Sequence, residues 1–229
     1  MVYPESEFAS NNHFVRQQCI DYFRRQLEFC AAVGGQYILF TPGAVGRPKK
    51  YDDNEFYRAA ETIRIIGDDF LKYGIRCGIE PVRRDEVSLC HTCADAKALI
   101  DEINHPGVQH IAGDTFHMLL GEEHIGKAIL EYGHIMTNLH LADSNRGALG
   151  TGMLDMDMII MALYATGFNN EKCFCSPEPL GTGANPYDQM YGSPDPAMLN
   201  ELVRQTASYF YERESAILNA SDEELLRCY

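Results

Sequence analysis

Four side chains in this sequence, Glu80, Asp114, His140 and Glu178, are of the types that bind a divalent cation. Three carboxylates and one imidazole make a hard donor set with one borderline nitrogen. Such a set suits Mn²⁺, Mg²⁺ or Co²⁺, whereas structural zinc favours thiolate and more imidazole. The four are separated by 34, 26 and 38 residues, each near the roughly 30 residues that one βα unit of a barrel occupies. Taken singly, a carboxylate at a strand end often only caps the next helix. Four metal-competent residues at consecutive strand ends are not explained that way. Three more polar residues follow the same strands: Glu86 six after Glu80, His117 three after Asp114, and Arg146 six after His140. They are expected to face whatever the cation holds.

The elements that must position these residues are legible as apolar periodicity. Residues 11–33 read as a helix, with Phe14, Cys19, Tyr22, Phe23, Leu27 and Cys30 at helical spacing and Gly34-Gly35 as its stop. Residues 36–40 read as a buried strand closed by Thr41-Pro42-Gly43. The alternation then repeats, with helices over 54–73, 93–103, 123–132 and 155–166 and strands over 75–80, 108–114, 135–140 and 172–178. A closing helix over 199–218 precedes a charged tail from 221 to 229. Five strands alternating with helices predict an α/β fold, a parallel (β/α) TIM-barrel type with outer helices, in a single domain over 1–229. Barrel active sites lie at the C-terminal ends of strands, where the four candidate ligands fall. No Gly-rich phosphate fingerprint follows any strand, which speaks against a Rossmann or P-loop domain. Pro, Gly, Asn and Tyr concentrate between 177 and 196, a loop long enough to serve as a lid.

Bulk properties narrow the partners. The chain has 229 residues, 45% of them hydrophobic and 23% charged, as in an ordinary soluble globular protein. Its formal net charge of −14 opposes binding to nucleic acid and suits a carboxylate-rich cation site. No apolar run is long enough to span a bilayer, and Met1 leads into the polar stretch Tyr3-Pro4-Glu5-Ser6-Glu7. A cytoplasmic protein without a membrane partner is therefore expected. The eight cysteines include Cys90-His91-Thr92-Cys93 and Cys173-Phe174-Cys175. Without two pairs of suitable geometry these are expected to be small buried thiols and not a zinc knuckle.

Several segments together resemble the xylose-isomerase-like TIM-barrel superfamily, and within it the ketose 3-epimerases of the D-tagatose/D-psicose type. They are Ile79-Glu80-Pro81 with Glu86, Asp114-Thr115-Phe116-His117-Met118, His140-Leu141-Ala142-Asp143-Ser144-Asn145-Arg146, and Pro177-Glu178. Gly150-x-Gly152 before an Asp-led helix is similar to the family's seventh βα loop, and the resemblance runs from about residue 11 to 218. It implies that Glu80, Asp114, His140 and Glu178 bind one divalent metal ion, Mn²⁺ first and Mg²⁺ or Co²⁺ as alternatives. It further implies that Glu80 and Glu178 act as the catalytic acid/base pair, that Glu86, His117 and Arg146 contact a ketose or sugar phosphate, and that the chain forms a homo-oligomer. The implied activity is that of an isomerase: proton abstraction beside a ketose carbonyl through an enediolate, with inversion at C3. Aldose–ketose isomerisation on the same site is the near alternative. A cation chelating the C2 carbonyl and a neighbouring hydroxyl acidifies the C–H between them, and carboxylates on non-adjacent strands can flank that carbon as bases.

Two departures from the family pattern stand out. Arg83 occupies a position where these epimerases usually carry Asn, which fits either recognition of an acidic or phosphorylated sugar or a plain surface position. The chain also counts five strands, the first resembling the family's fourth, so about three N-terminal βα units of a full barrel are absent while all four ligand positions remain. Five strands do not close an eight-stranded barrel. Either the count is short, or the product is truncated, or another chain covers the gap. A catalytically inactive truncated paralogue is the non-enzymatic reading that follows. An apurinic-site endonuclease of the same fold is remote: Thr41 stands where a His is expected, and no Asp-x-His follows His140.

Overall fold

The computed structural model describes residues 4–182 and 195–227. Helix α1 (His13–Ala32) leads into strand β1 (Tyr37–Phe40), α2 (Glu55–Tyr73), β2 (Arg76–Ile79), α3 (Cys93–Ile103) and β3 (His110–Asp114). Two short helices follow, α4 (Thr115–Gly121) and α5 (Ile125–Tyr132), then β4 (Met136–Leu141), α6 (Met156–Ala165), β5 (Phe174–Pro177), α7 (Pro196–Asn219) and α8 (Asp222–Arg227). The strands form one five-stranded sheet in the order β1-β2-β3-β4-β5. Every neighbouring pair is parallel, as right-handed βαβ connections require. The result is a curled half-barrel with helices outside, a partial TIM barrel.

The alternation of side chains along each strand divides the structure into two packing zones. Phe40, Ile79, Ile111 and Leu139 are buried and belong to the same core as Phe23 of α1, Ile63 of α2, Leu99 of α3, Ile129 of α5 and Ile159 of α6. The opposite face lines the concave lumen and is more polar, carrying Tyr37, Asn138 and Ser176 in one hydrogen-bonded group. A register shift between β3 and β4 pairs Ile111 with Met136 but Ala112 with Asn138. The extra residue, Thr137, resets the phase of β4, a common use of a bulge beside a functional site.

Local chemistry accounts for the helix starts. Asn12 caps α1 through a bond from Phe14 N, and Thr92 with Asp95 forms a capping box at α3. Asp155 caps α6, and Asp195 caps α7 with Pro196 in its first turn. The sequence reading missed α4, a seven-residue helix capped by Asp114, and it treated as tail the segment that contains α8. It extended β4 back over Ile135, which lies in a 3₁₀ turn. It carried β2 and β5 one residue too far, since Glu80 and Glu178 follow the strand ends. The expected lid falls mostly on residues 183–194, outside the described residues.

Candidate metal centre

The strand ends deliver four donors to one point. Asp114, the last residue of β3, pairs with His140 on β4. Glu80 N donates to Phe40 O at 3.0 Å and Glu178 N to Leu141 O at 2.9 Å, so both glutamates continue the ladder one step beyond their strands. One ligand atom from each of Glu80, Asp114, His140 and Glu178 lies within 4.8 Å of all the others. His140 Nδ1 is 3.0 Å from Glu178 Oε2, 3.2 Å from Glu80 Oε1 and 4.0 Å from Asp114 Oδ2. That nitrogen nevertheless lacks a hydrogen-bond partner. It stands at ion-pair distance from three carboxylates without the alignment a hydrogen bond demands. Atoms that crowd together yet do not point at one another are aimed at a shared centre, as donors around a cation are. The donor chemistry and this orphaned buried nitrogen both fit a divalent metal.

The electrostatics show what the cluster costs without a cation. Burial works against a charged imidazole at His140, but the Glu178 and Glu80 carboxylates override it and hold the ring up to about 11. Burial pushes the Asp114 carboxyl up to about 6, with His117 opposing and Glu178 and Glu80 adding to the rise. Burial also opposes ionisation of Glu178, yet His140, Asp114 and Arg146 together keep its carboxyl below the usual range. Three carboxylates around one imidazole therefore hold a proton where a cation can stand, and ligand deprotonation accompanies metal uptake at such sites. The backbone fixes Asp114 as a donor. Its Oδ1 accepts from Phe116 N at 2.8 Å and His117 N at 3.4 Å, while Oδ2 faces His140. The capping role that explains a lone carboxylate at a strand end is present here alongside the donor role.

Glu86, His117 and Arg146 lie with Glu80, His140 and Glu178 around one cavity of ≈ 210 Å³, the scale of a single small molecule. His117 Nε2 is 3.6 Å from Asp114 Oδ2, and its buried Nδ1 has no partner. Glu86 Oε1 accepts from Arg83 Nε at 2.6 Å and Arg146 Nη1 at 3.2 Å. Both guanidinium groups stand over the Phe116 ring, at 4.9 and 4.5 Å from its centroid. Arg83 is thus neither a plain surface residue nor a wall of the cavity. It is half-buried, and with exposed Asp85 3.2 Å away its strongest contact is the one that orients Glu86.

The loop after β4 shows how Arg146 is held. Arg146 has φ +63°, a left-handed conformation that a non-glycine residue adopts only when its surroundings impose it. Arg146 N donates to Asp143 O at 2.8 Å. The Asp143 carboxylate, 1% exposed, accepts from Ser144 N at 2.7 Å, Gly150 N at 2.8 Å and Leu154 N at 3.2 Å. These backbone bonds hold the Asp143 carboxyl below the usual range against the opposing effect of burial. A Cβ at Gly152 would stand 2.2 Å from Asp143 Oδ1. The Gly150-x-Gly152 pattern therefore cradles an internal carboxylate. The sequence alone does not mark Asp143 or Phe116, because both act on neighbours and not on a ligand.

Cys90 and Cys93 are buried free thiols, and burial raises both well above the ordinary range. Neither belongs to a cluster of three or more candidate ligands among the described residues. Among those residues, no helix is long and apolar enough to cross a membrane.

Comparison with known proteins gives the family and the fold. The chain is 32% identical over 109 residues to a ketose 3-epimerase of Arthrobacter globiformis, covering 48% of this chain and 37% of that protein. It is 35% identical over 147 residues to an L-ribulose 3-epimerase of Methylomonas sp. (strain DH-1), covering 64% and 46%. The chain thus spans less than half the length of either. A solved structure of an L-ribulose 3-epimerase superposes with a TM-score of 0.80 at 20% identity, covering 96% of this chain and 77% of that one, and so supports the fold alone. Residues 2–192 match the family described as xylose isomerase-like TIM barrel, and the chain belongs to that family.

Proposed function

We propose that this chain is a divalent-metal-dependent ketose 3-epimerase, an isomerase acting on a small sugar, with Glu80, Asp114, His140 and Glu178 as metal ligands. The observation that carries the reading is the convergence of these four donors within 4.8 Å, in a chain with a ketose 3-epimerase and an L-ribulose 3-epimerase among its relatives. When bound, the cation, Mn²⁺ by this reading, supplies Lewis-acid polarisation of the C2 carbonyl.

The chain's own groups do the rest. Glu80 and Glu178 stand on either side of β3 and β4 and approach His140 from separate directions. A ketose held between them presents one face of C3 to each carboxylate. One glutamate takes the C3 proton while the other, carrying a proton, returns one to the opposite face. Asp114, tied through Oδ1 to the backbone, stays a ligand throughout. Arg146 holds a sugar oxygen from a position braced by Glu86 and Phe116, and His117 offers its unpartnered Nδ1 to a hydroxyl.

The test is incubation of the purified chain with Mn²⁺ and a panel of ketopentoses and ketohexoses in D₂O, followed by proton NMR. Deuterium at C3 with C3 inversion is the expected outcome. Aldose formation with exchange at C1 or C2 would make the chain an aldose–ketose isomerase, and absence of exchange with every ketose would overturn both. Among the described residues β1 and β5 are the edges of a five-stranded sheet, which favours one second reading, a metal-binding chain without turnover. Mn²⁺ uptake without proton exchange is its signature.

A further inference from the structure

The curl of the sheet is what brings the four donors together. Neighbouring strands lie about 4.8 Å apart, so in a flat sheet β2 and β5 would be roughly 14 Å apart and β1 and β5 roughly 19 Å. Donor atoms of Glu80 and Glu178 lie within 4.8 Å of each other, brought there by the curl of the sheet and the reach of the two side chains together. In a closed barrel, pairing of the first and last strands enforces curvature. Among the described residues β1 and β5 are the two edges of the sheet, so contacts across the lumen join the outer helices in holding its curvature.

The Tyr37 side chain crosses that lumen. The Tyr37 hydroxyl, on β1, donates to Asn138 Oδ1 on β4 at 3.1 Å and lies 3.5 Å from Ser176 Oγ on β5. Ser176 Oγ donates to the same Asn138 Oδ1 at 2.9 Å. The Tyr37 ring also stacks on Phe174 of β5, with centroids 5.3 Å apart and planes at 28°. Asn138 is wholly buried and its Nδ2 has no partner, so its amide is anchored through Oδ1 alone. Asn138 precedes His140 by two residues and Ser176 precedes Glu178 by two, which puts the bridge on the same face and one layer beneath two of the four donors.

We propose that Tyr37 is a positioning residue, a strut that braces β1 against β4 and β5 across the lumen and thereby sets the spacing of the metal donors. The proposal rests on the metal-site reading given above. Removing the hydroxyl leaves Asn138 with one anchor instead of two, and removing the ring also frees Phe174. Either change lets β5, and Glu178 at its end, relax outward.

The test is titration of the full chain with Mn²⁺, following the free ion by electron paramagnetic resonance. Tyr37→Phe keeps the stack and loses the hydroxyl, whereas Tyr37→Ala loses both. Affinity is expected to fall in that order, by about 10-fold for Tyr37→Ala, the low end of what loss of a partner behind a ligand costs. The circular dichroism of Tyr37→Phe should match that of the parent, and its metal-free melting temperature should fall only by what one hydrogen bond costs. Tyr57→Ala, on the outer face of α2 and 53% exposed, should leave affinity unchanged. Affinities of both Tyr37 variants within twofold of the parent would overturn the proposal. Loss of folded structure in Tyr37→Phe would also overturn it, making the role one of folding. A parent chain that takes up no Mn²⁺ overturns the metal reading instead.

Discussion

The rim of the half-barrel and its flanks follow opposite rules. At the rim, buried polar groups meet one another: Asp114 serves a helix and the donor cluster, Glu86 serves two arginines, and Asp143 serves three backbone amides. At the flanks, α1 with its C-cap and α7 present apolar side chains outward, with Phe29 and Val33 on one side and Tyr211 and Leu218 on the other, each at least 60% exposed. Each rim residue is set by its own strand and loop together with polar contacts from other βα units, as Glu86 is by Arg146. The rim is thus held by polar contacts between βα units, and the flanks by apolar packing on their inner faces.

The sharpest way to break this contrast is to remove chemistry from the rim without disturbing its packing. Glu178→Gln keeps the shape of the side chain and removes its basicity. Turnover in the C3 exchange assay should fall by about 10²- to 10⁴-fold, the usual worth of a general acid or base, and a loss under tenfold would remove Glu178 from that role. Asp114 separates the two duties of a rim residue. Asp114→Asn retains an oxygen for the cap and loses the anionic donor, so Mn²⁺ affinity should drop by more than about 10-fold with little change in urea midpoint. Asp114→Ala should lose the cap as well, costing about 1 kcal/mol more in the same urea titration. Equal midpoints for the two variants would deny the cap its role.

Asp143 tests whether the rim is held by charge. Its carboxyl is depressed in the folded chain, so its contribution to stability is present above the unfolded value of about 3.9 and disappears as pH falls through the lower folded value. Asp143→Asn should cost roughly 1–3 kcal/mol at neutral pH, because amides bonded to a buried acceptor lose it. The variant and the parent should converge in stability as the solution is acidified. A gap that stays constant with pH would show that shape and not charge holds the loop. The smallest effects belong to the flanks: Phe29→Ser and Tyr211→Ser should each change stability by no more than about 0.5 kcal/mol. A larger loss in either would mean that the surface is covered in solution and that the contrast with the rim is narrower than drawn.

What could be read from the sequence follows the same division. Apolar alternation and glycine stops located all five strands, because each signal lies within a few residues of its element. Residue type and spacing put Glu80, Asp114, His140 and Glu178 at successive strand ends, and the structure places them together. Helix α4 was invisible because its start signal, Asp114, had already been read as a ligand, and seven residues carry too little periodicity. The role of Arg83 was not legible either, since its partner Glu86 is selected by how the loop after β2 turns. Tyr37 looked like one apolar residue in a short strand. Its hydroxyl matters only once the sheet curls and brings β4 and β5, about a hundred residues away or more, within reach.

The divided carboxylate of Asp114 has one further consequence. Because Oδ1 accepts the amide protons of Phe116 and His117 while Oδ2 faces the cluster, occupancy of the centre and fraying of the first turn of α4 are thermodynamically linked. A cation that fixes Oδ2 also fixes Oδ1, and local opening of that turn then has to break both attachments. The exchange rates of two backbone amides with solvent thus become a gauge of occupancy, legible even with a cation that has no spectrum of its own and with no sugar present.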